Sequence, residues 1–109
     1  MRFYKLCDFK GEDEAWAIVA NIIEPLAEIA TDEKVKAELK GDRMKLAKLI
    51  VETHKQSATK ILALLAKQDY ETFKKEITPA AIAIGVMTAL NDTELIDLFQ
   101  SQGLTTDEN

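Results

Sequence analysis

The sequence predicts an all-α fold: a compact bundle of about five to six helices with an extended N-terminal arm. Three observations carry that expectation. Apolar residues recur at three- and four-residue steps through most of the chain, the period of helices that bury one face. Residues that favour helix N-termini stand where new stripes begin: Asp42, Asp69, and Thr78 ahead of Pro79. The one strand-like segment, MRFYKLCDFK at residues 1–10, meets no second such segment with which to pair. With 109 residues, the chain fits a single helical domain, 1–109, with residues 1–10 as the arm and 104–109 as a polar tail.

Phe3, Tyr4, Leu6 and Phe9 make the arm an irregular segment laid over hydrophobic surface. After Gly11, a helix opens on Glu12, Asp13 and Glu14, acids that complement the positive end of the helix dipole. Its expected core stripe is Ala15, Val19, Ile22, Leu26 and Ile29. Pro25 lacks an N–H and crowds the carbonyl of Asn21, which predicts a kink there. A short helix follows Thr31-Asp32-Glu33 and ends near Gly41. The longest helix is expected from Arg43 to about Lys67, capped by Asp42, with Ala47, Ile50, Val51, His54, Ala58, Ile61, Leu62 and Leu65 on its apolar face.

Asp69 caps a short helix that buries Tyr70, Phe73 and Ile77. Ala80–Leu90 is apolar almost all round, which predicts a central helix surrounded on most sides. Gly85 inside it implies a close backbone approach or a bend, since glycine there costs roughly 1 kcal/mol relative to alanine. Asn91 and Glu94 resemble a capping box for a last helix, Thr93 to about Gln102, closed by Gly103.

Composition excludes more than it assigns. The net charge of −5, from 19 acidic and 14 basic residues with no lysine cluster free of acids, argues against nucleic-acid binding, which needs several cations on one face. The pair of helices flanking Lys67–Asp69 fails as a helix-turn-helix reader, because Glu71 and Glu76 offset Lys74 and Lys75. The apolar stretch Ile77–Leu90 is shorter than the roughly 20 residues of a membrane span, so no membrane association is expected. A lone cysteine, Cys7, and a polar start without a signal-peptide pattern point to a reducing, cytoplasmic location.

Chemistry finds little to work with. His54 is the only histidine, and it sits on the apolar side of its helix three residues from Ser57, where a packed, singly hydrogen-bonded role outweighs catalysis. Cys7 and His54 alone make an incomplete zinc set, and no Glu-x-x-His pairs exist for a di-iron site. The acid pairs Glu12/Asp13 and Asp32/Glu33 are neighbours that diverge on a helix and serve its dipole. The four glycines lie too far apart for a phosphate loop. No enzyme, metal or cofactor is expected. The residues that chemistry singles out for partner binding are Trp16, at an edge of the first helix, and Phe99, in a last helix with little chain left to cover it; the alternative for each is a half-buried core aromatic.

The order of packing and capping residues resembles a family across nearly the full length. Phe3-Tyr4-Lys5-Leu6 with Asp8-Phe9 opens the pattern, followed by Ile22-Ile23-Glu24-Pro25, Glu28-Ile29 and Asp32. It continues through Lys45 to His54-Lys55 and Ile61-Leu62-Ala63, and closes on Asn91-Asp92, Glu94-Leu95, Leu98-Phe99 and Ser101-Gln102-Gly103. In these features the chain is similar to the tail assembly chaperones of long-tailed bacteriophages and prophages of Gram-positive bacteria. That resemblance implies a helical protein of the bacterial cytoplasm that escorts the tape measure protein until the tail tube protein polymerises around it. It also implies a short and a long form related by a programmed ribosomal frameshift, with the polar tail suiting the short one. The alternative is a helical adaptor or regulator of a phage or mobile element; a homo-oligomer is compatible with either.

Overall fold

One turn of 3₁₀ helix, Leu6–Asp8, precedes seven α-helices among the described residues: α1 (Glu12–Ala30), α2 (Glu33–Glu38), α3 (Arg43–Thr53), α4 (Lys55–Leu65), α5 (Tyr70–Glu76), α6 (Pro79–Leu90) and α7 (Thr93–Asp107). They come from a computed structural model that describes residues 1–107, with side chains described through Gln102. The fold is all-α, with no strand among those residues, and the N-terminal arm is a minor part of it.

α1 begins after Gly11, whose φ of +93° is a conformation open to glycine and strained for other residues. Pro25 does not split the helix, and its ring is buried with Ile18, Ile22, Leu26, Ile29 and Ala30. The core stripe is therefore set around Ile18, not Val19, which is exposed. At its end the Thr31 hydroxyl donates to the Ala27 carbonyl at 2.8 Å. Asp32 caps α2 and Asp42 caps α3, each accepting the amide two residues on at 2.8 Å.

The long helix expected from Arg43 to Lys67 is two helices, broken at His54 (φ −128°, ψ 46°). His54 Nε2 lies 2.7 Å from Asp32 Oδ2, so the junction between α1 and α2 holds the junction between α3 and α4. The break lets Leu46, Ala47 and Ile50 face one set of neighbours and Ser57, Ile61, Leu62 and Leu65 another. α4 packs on α1 and forms the middle of the bundle, while α7 lies against the same α1 and α5 against α4.

α6 is not the central helix. It rests against α3, α4 and α7 with Gly85, Val86 and Leu90 buried, while Ala80, Ala83 and Ile84 face outward and Ile84 is 60% exposed. Hydrophobicity all round did not place it inside, because α4 already fills the middle. What approaches Gly85 is side chain, not backbone: a Cβ there would lie 2.8 Å from the Phe3 ring and 2.9 Å from Leu62. Phe3 also meets Phe73 edge-on, with ring centroids 6.3 Å apart. The Arg43 guanidinium donates to the Leu90 carbonyl, tying α3 to the end of α6.

The cap of α7 is Asp92, not Asn91. Asp92 Oδ1 accepts the amides of Glu94 and Leu95, at 3.2 and 3.3 Å, and Oδ2 accepts the Leu6 amide of the arm at 2.8 Å. Asn91 instead closes α6 through its amide to the Met87 carbonyl. α7 also runs past Gly103 to Asp107, since glycine permits a helix end without imposing one and no proline follows. Residues 104–107 of the expected tail are thus helical, and 108–109 lie outside the described residues.

Two outcomes follow from this packing. Gly85→Ala gains helix propensity of about 1 kcal/mol and loses about 1–3 kcal/mol to overpacking against Phe3. Global stability should therefore move by under about 2 kcal/mol, while hydrogen exchange at the Tyr4 and Leu6 amides should speed up about tenfold or more as the arm lifts. For the His54 latch, hydrogen bonding from His54, then from the Lys34 amide, holds the Asp32 carboxyl below its ordinary value. Its contribution is present above the unfolded value of about 3.9 and is lost as pH falls through the folded one. Asp32→Asn keeps a good cap but drops the charge. Urea titrations should find it about 1 kcal/mol less stable than the parent at pH 7, with the gap closing below about pH 4.

Candidate functional site

His54 and Asp32 resemble two members of a catalytic triad, yet neither Ser57 nor Cys7 completes it. Ser57, three residues on, is buried at the start of α4 and Cys7 is exposed in the arm. The arm docks at the other end of α4, where the Tyr4 amide donates to the Leu65 carbonyl at 2.8 Å. His54 and the arm are thus separated by the length of α4, roughly 16 Å at 1.5 Å per residue. Among the described residues, no three His, Cys, Asp or Glu side chains gather as metal ligands, and no helix is long and apolar enough to cross a membrane.

The space between the core helices is small, and a roomier groove of about 360 Å³ lies outside them, between the arm and α6, lined by Met1, Phe3, Glu76, Thr78, Ala81 and Ile84. The core cavity, lined by Leu26, Ile50, Ile61, Leu62, Val86 and Phe99, holds about 50 Å³. Ligand pockets occupy roughly 300–1,000 Å³, so this one is a packing defect between helices.

The outside of α1 is different. At 100° per residue, Ile18, Ile22, Pro25, Leu26 and Ile29 span one arc of the helix, and Trp16, Val19, Ala20 and Ile23 span the next. Together they make roughly 220° apolar, whereas a core-facing helix needs a stripe of about 100°. The neighbours α4 and α7 cover the first arc only. The second is left as a ridge in solvent, with Trp16 70%, Val19 39% and Ile23 37% exposed.

Of the two residues singled out from sequence for binding, the structure places Trp16 at the crest of this ridge and Phe99 in the core, 6% exposed. Phe99 has no face to offer a partner, because α1 covers the side of α7 that was expected to lack cover. Val19, Ala20 and Ile23 were missed as surface residues. Eight of the nine residues Ala15–Ile23 are apolar, and that excess over a single stripe was the available signal.

No family model, curated protein or solved structure matches the chain. The function therefore has to be argued from the ridge and its setting.

A pair of substitutions separates ridge from core. Trp16→Ala should change stability by less than about 0.5 kcal/mol, as expected for an exposed side chain, and Phe99→Ala should lower it by about 3–5 kcal/mol. Urea unfolding followed by circular dichroism reads both, since Trp16 is the only tryptophan and fluorescence would be lost with it.

Proposed function

We propose that this protein is a non-enzymatic tail assembly chaperone of a long-tailed phage or prophage. In this reading it acts in the bacterial cytoplasm, binding the helical tape measure protein and yielding it to the tail tube protein during assembly. The observation that carries the proposal is the Trp16–Ile23 ridge, an apolar helix face that the fold leaves uncovered. The order of packing and capping residues, from Phe3-Tyr4 to Ser101-Gln102-Gly103, supports the family.

The mechanism follows from the shape of the surface. A helix face can receive an amphipathic helix of the client at i, i+3, i+4 and i+7 anchors, and positions 16, 19, 20 and 23 supply that spacing. One such face buries less than the roughly 800 Å² per partner of a stable interface, so each contact is weak. Many copies along a long client give avidity without trapping it, and tube subunits displace them one at a time. Tryptophan at the centre supplies large area at low conformational cost, which is why it dominates such contacts.

Co-expression with fragments of a tape measure protein tests this directly. The fragments should be more soluble with this protein than without it, and Trp16→Ser with Ile23→Ser should weaken their capture about thirtyfold, the effect of losing about 2 kcal/mol. A client equally insoluble in both cases sinks the proposal.

A further inference from the structure

The ridge has an electrical setting as well as a shape. α1 carries five acids, Glu12, Asp13, Glu14, Glu24 and Glu28, and no lysine or arginine. Glu14 is spent on Lys67, 2.8 Å away on the inner side, where Lys67 also lies over the Tyr4 and Phe9 rings. The other four are exposed and have no ion-pair partner among the described residues. On the helical wheel Glu12 prolongs the ridge at its N-terminal end, and Asp13 and Glu24 border it. α7, packed on α1, adds exposed Glu94 and Asp97 and again no base. The nearest cations along the chain, Lys10 and Lys34, stand beyond the two ends of α1.

From this arrangement we infer that the ridge selects a basic amphipathic helix, one whose apolar stripe is flanked by lysine or arginine. The inference rests on the client-binding reading of the same ridge and adds the chemistry of the client. An apolar stripe meets Trp16, Val19, Ala20 and Ile23, while flanking cations meet Glu12, Asp13 and Glu24. A second copy presenting its own α1 is disfavoured, because four unpaired acids would face four. The basic face of α3, with Lys45 and Lys48, offers only Met44 and Val51 as exposed large apolar groups, too few for a stable homodimer.

Three synthetic helices with one apolar stripe, lacking tryptophan and flanked by Lys, Gln or Glu, probe the full chain through the emission of its only tryptophan, Trp16. The Lys-flanked peptide should shift emission to the blue and bind about tenfold tighter than the Gln-flanked one at low salt, an advantage that fades near 0.5 M salt, where the screening length is only about 4 Å. The Glu-flanked peptide should bind weakest. Glu24→Gln with Glu28→Gln, which leaves the first-turn acids in place, should narrow the Lys preference, and adding Glu12→Gln and Asp13→Asn should abolish it while Gln-peptide binding persists. Equal affinity for the Lys and Gln peptides overturns the inference and leaves the ridge as a binding face. No spectral shift with any peptide overturns the ridge reading itself. A concentration-dependent dimer abolished by Met44→Ser with Val51→Ser assigns the ridge to a second copy and overturns the basic-client inference.

Discussion

Asp92 is the only buried charged side chain among the described residues, and the closed end of the bundle is organised around it. A buried carboxylate is tolerable when hydrogen bonds replace the water it gave up, and three backbone amides do so here: those of Leu6, Glu94 and Leu95. Two of those bonds start α7 and the third anchors the arm, so one side chain fixes the relative position of two segments 86 residues apart in sequence. Removing it would orphan all three donors at once.

The anchored arm then shapes the rest of that end. With Leu6 held, the Tyr4 amide reaches the Leu65 carbonyl and Phe3 lies on Gly85 and against Phe73. α6 is consequently fitted to an aromatic ring instead of to a helix, which is why glycine occupies its inner face and why its outer face, with Ile84, stays in solvent. Tyr4 and Phe9 in turn roof Lys67, a non-glycine residue at φ +58° just past the end of α4. That conformation is uncommon for lysine, and the Glu14 carboxylate, which raises the Lys67 pKa, and the two rings hold the side chain there.

At the opposite end of α4, His54 and Asp32 do comparable work with a single bond. Between these two latches α1 and α4 pack side by side, and the ridge on the outer side of α1 is a consequence of what that pairing leaves uncovered. An uncovered apolar face bordered on one side by acids fits the proposed docking role, since the charged border discriminates among partners.

What the sequence determined by itself is the local structure. The all-α class, the caps at Asp42, Asp69 and Thr78, the acidic first turn of α1 and the helices around Phe73 and Leu95 depend on neighbours within a few residues, and those are legible in order. Trp16 was legible as lying at an edge of the first helix, and the structure leaves it 70% exposed. What only the tertiary structure decided is which of several apolar faces is covered. The break at His54 depends on Asp32, 22 residues earlier; the peripheral place of α6 depends on α4 filling the middle; and the exposure of Val19 and Ile23 against the burial of Phe99 depends on α7 covering one side of α1 and not the other. Hydrophobicity states that a residue gains by leaving water. Only the packed arrangement of the other helices decides which residues do so, because the hydrophobic effect has no direction of its own.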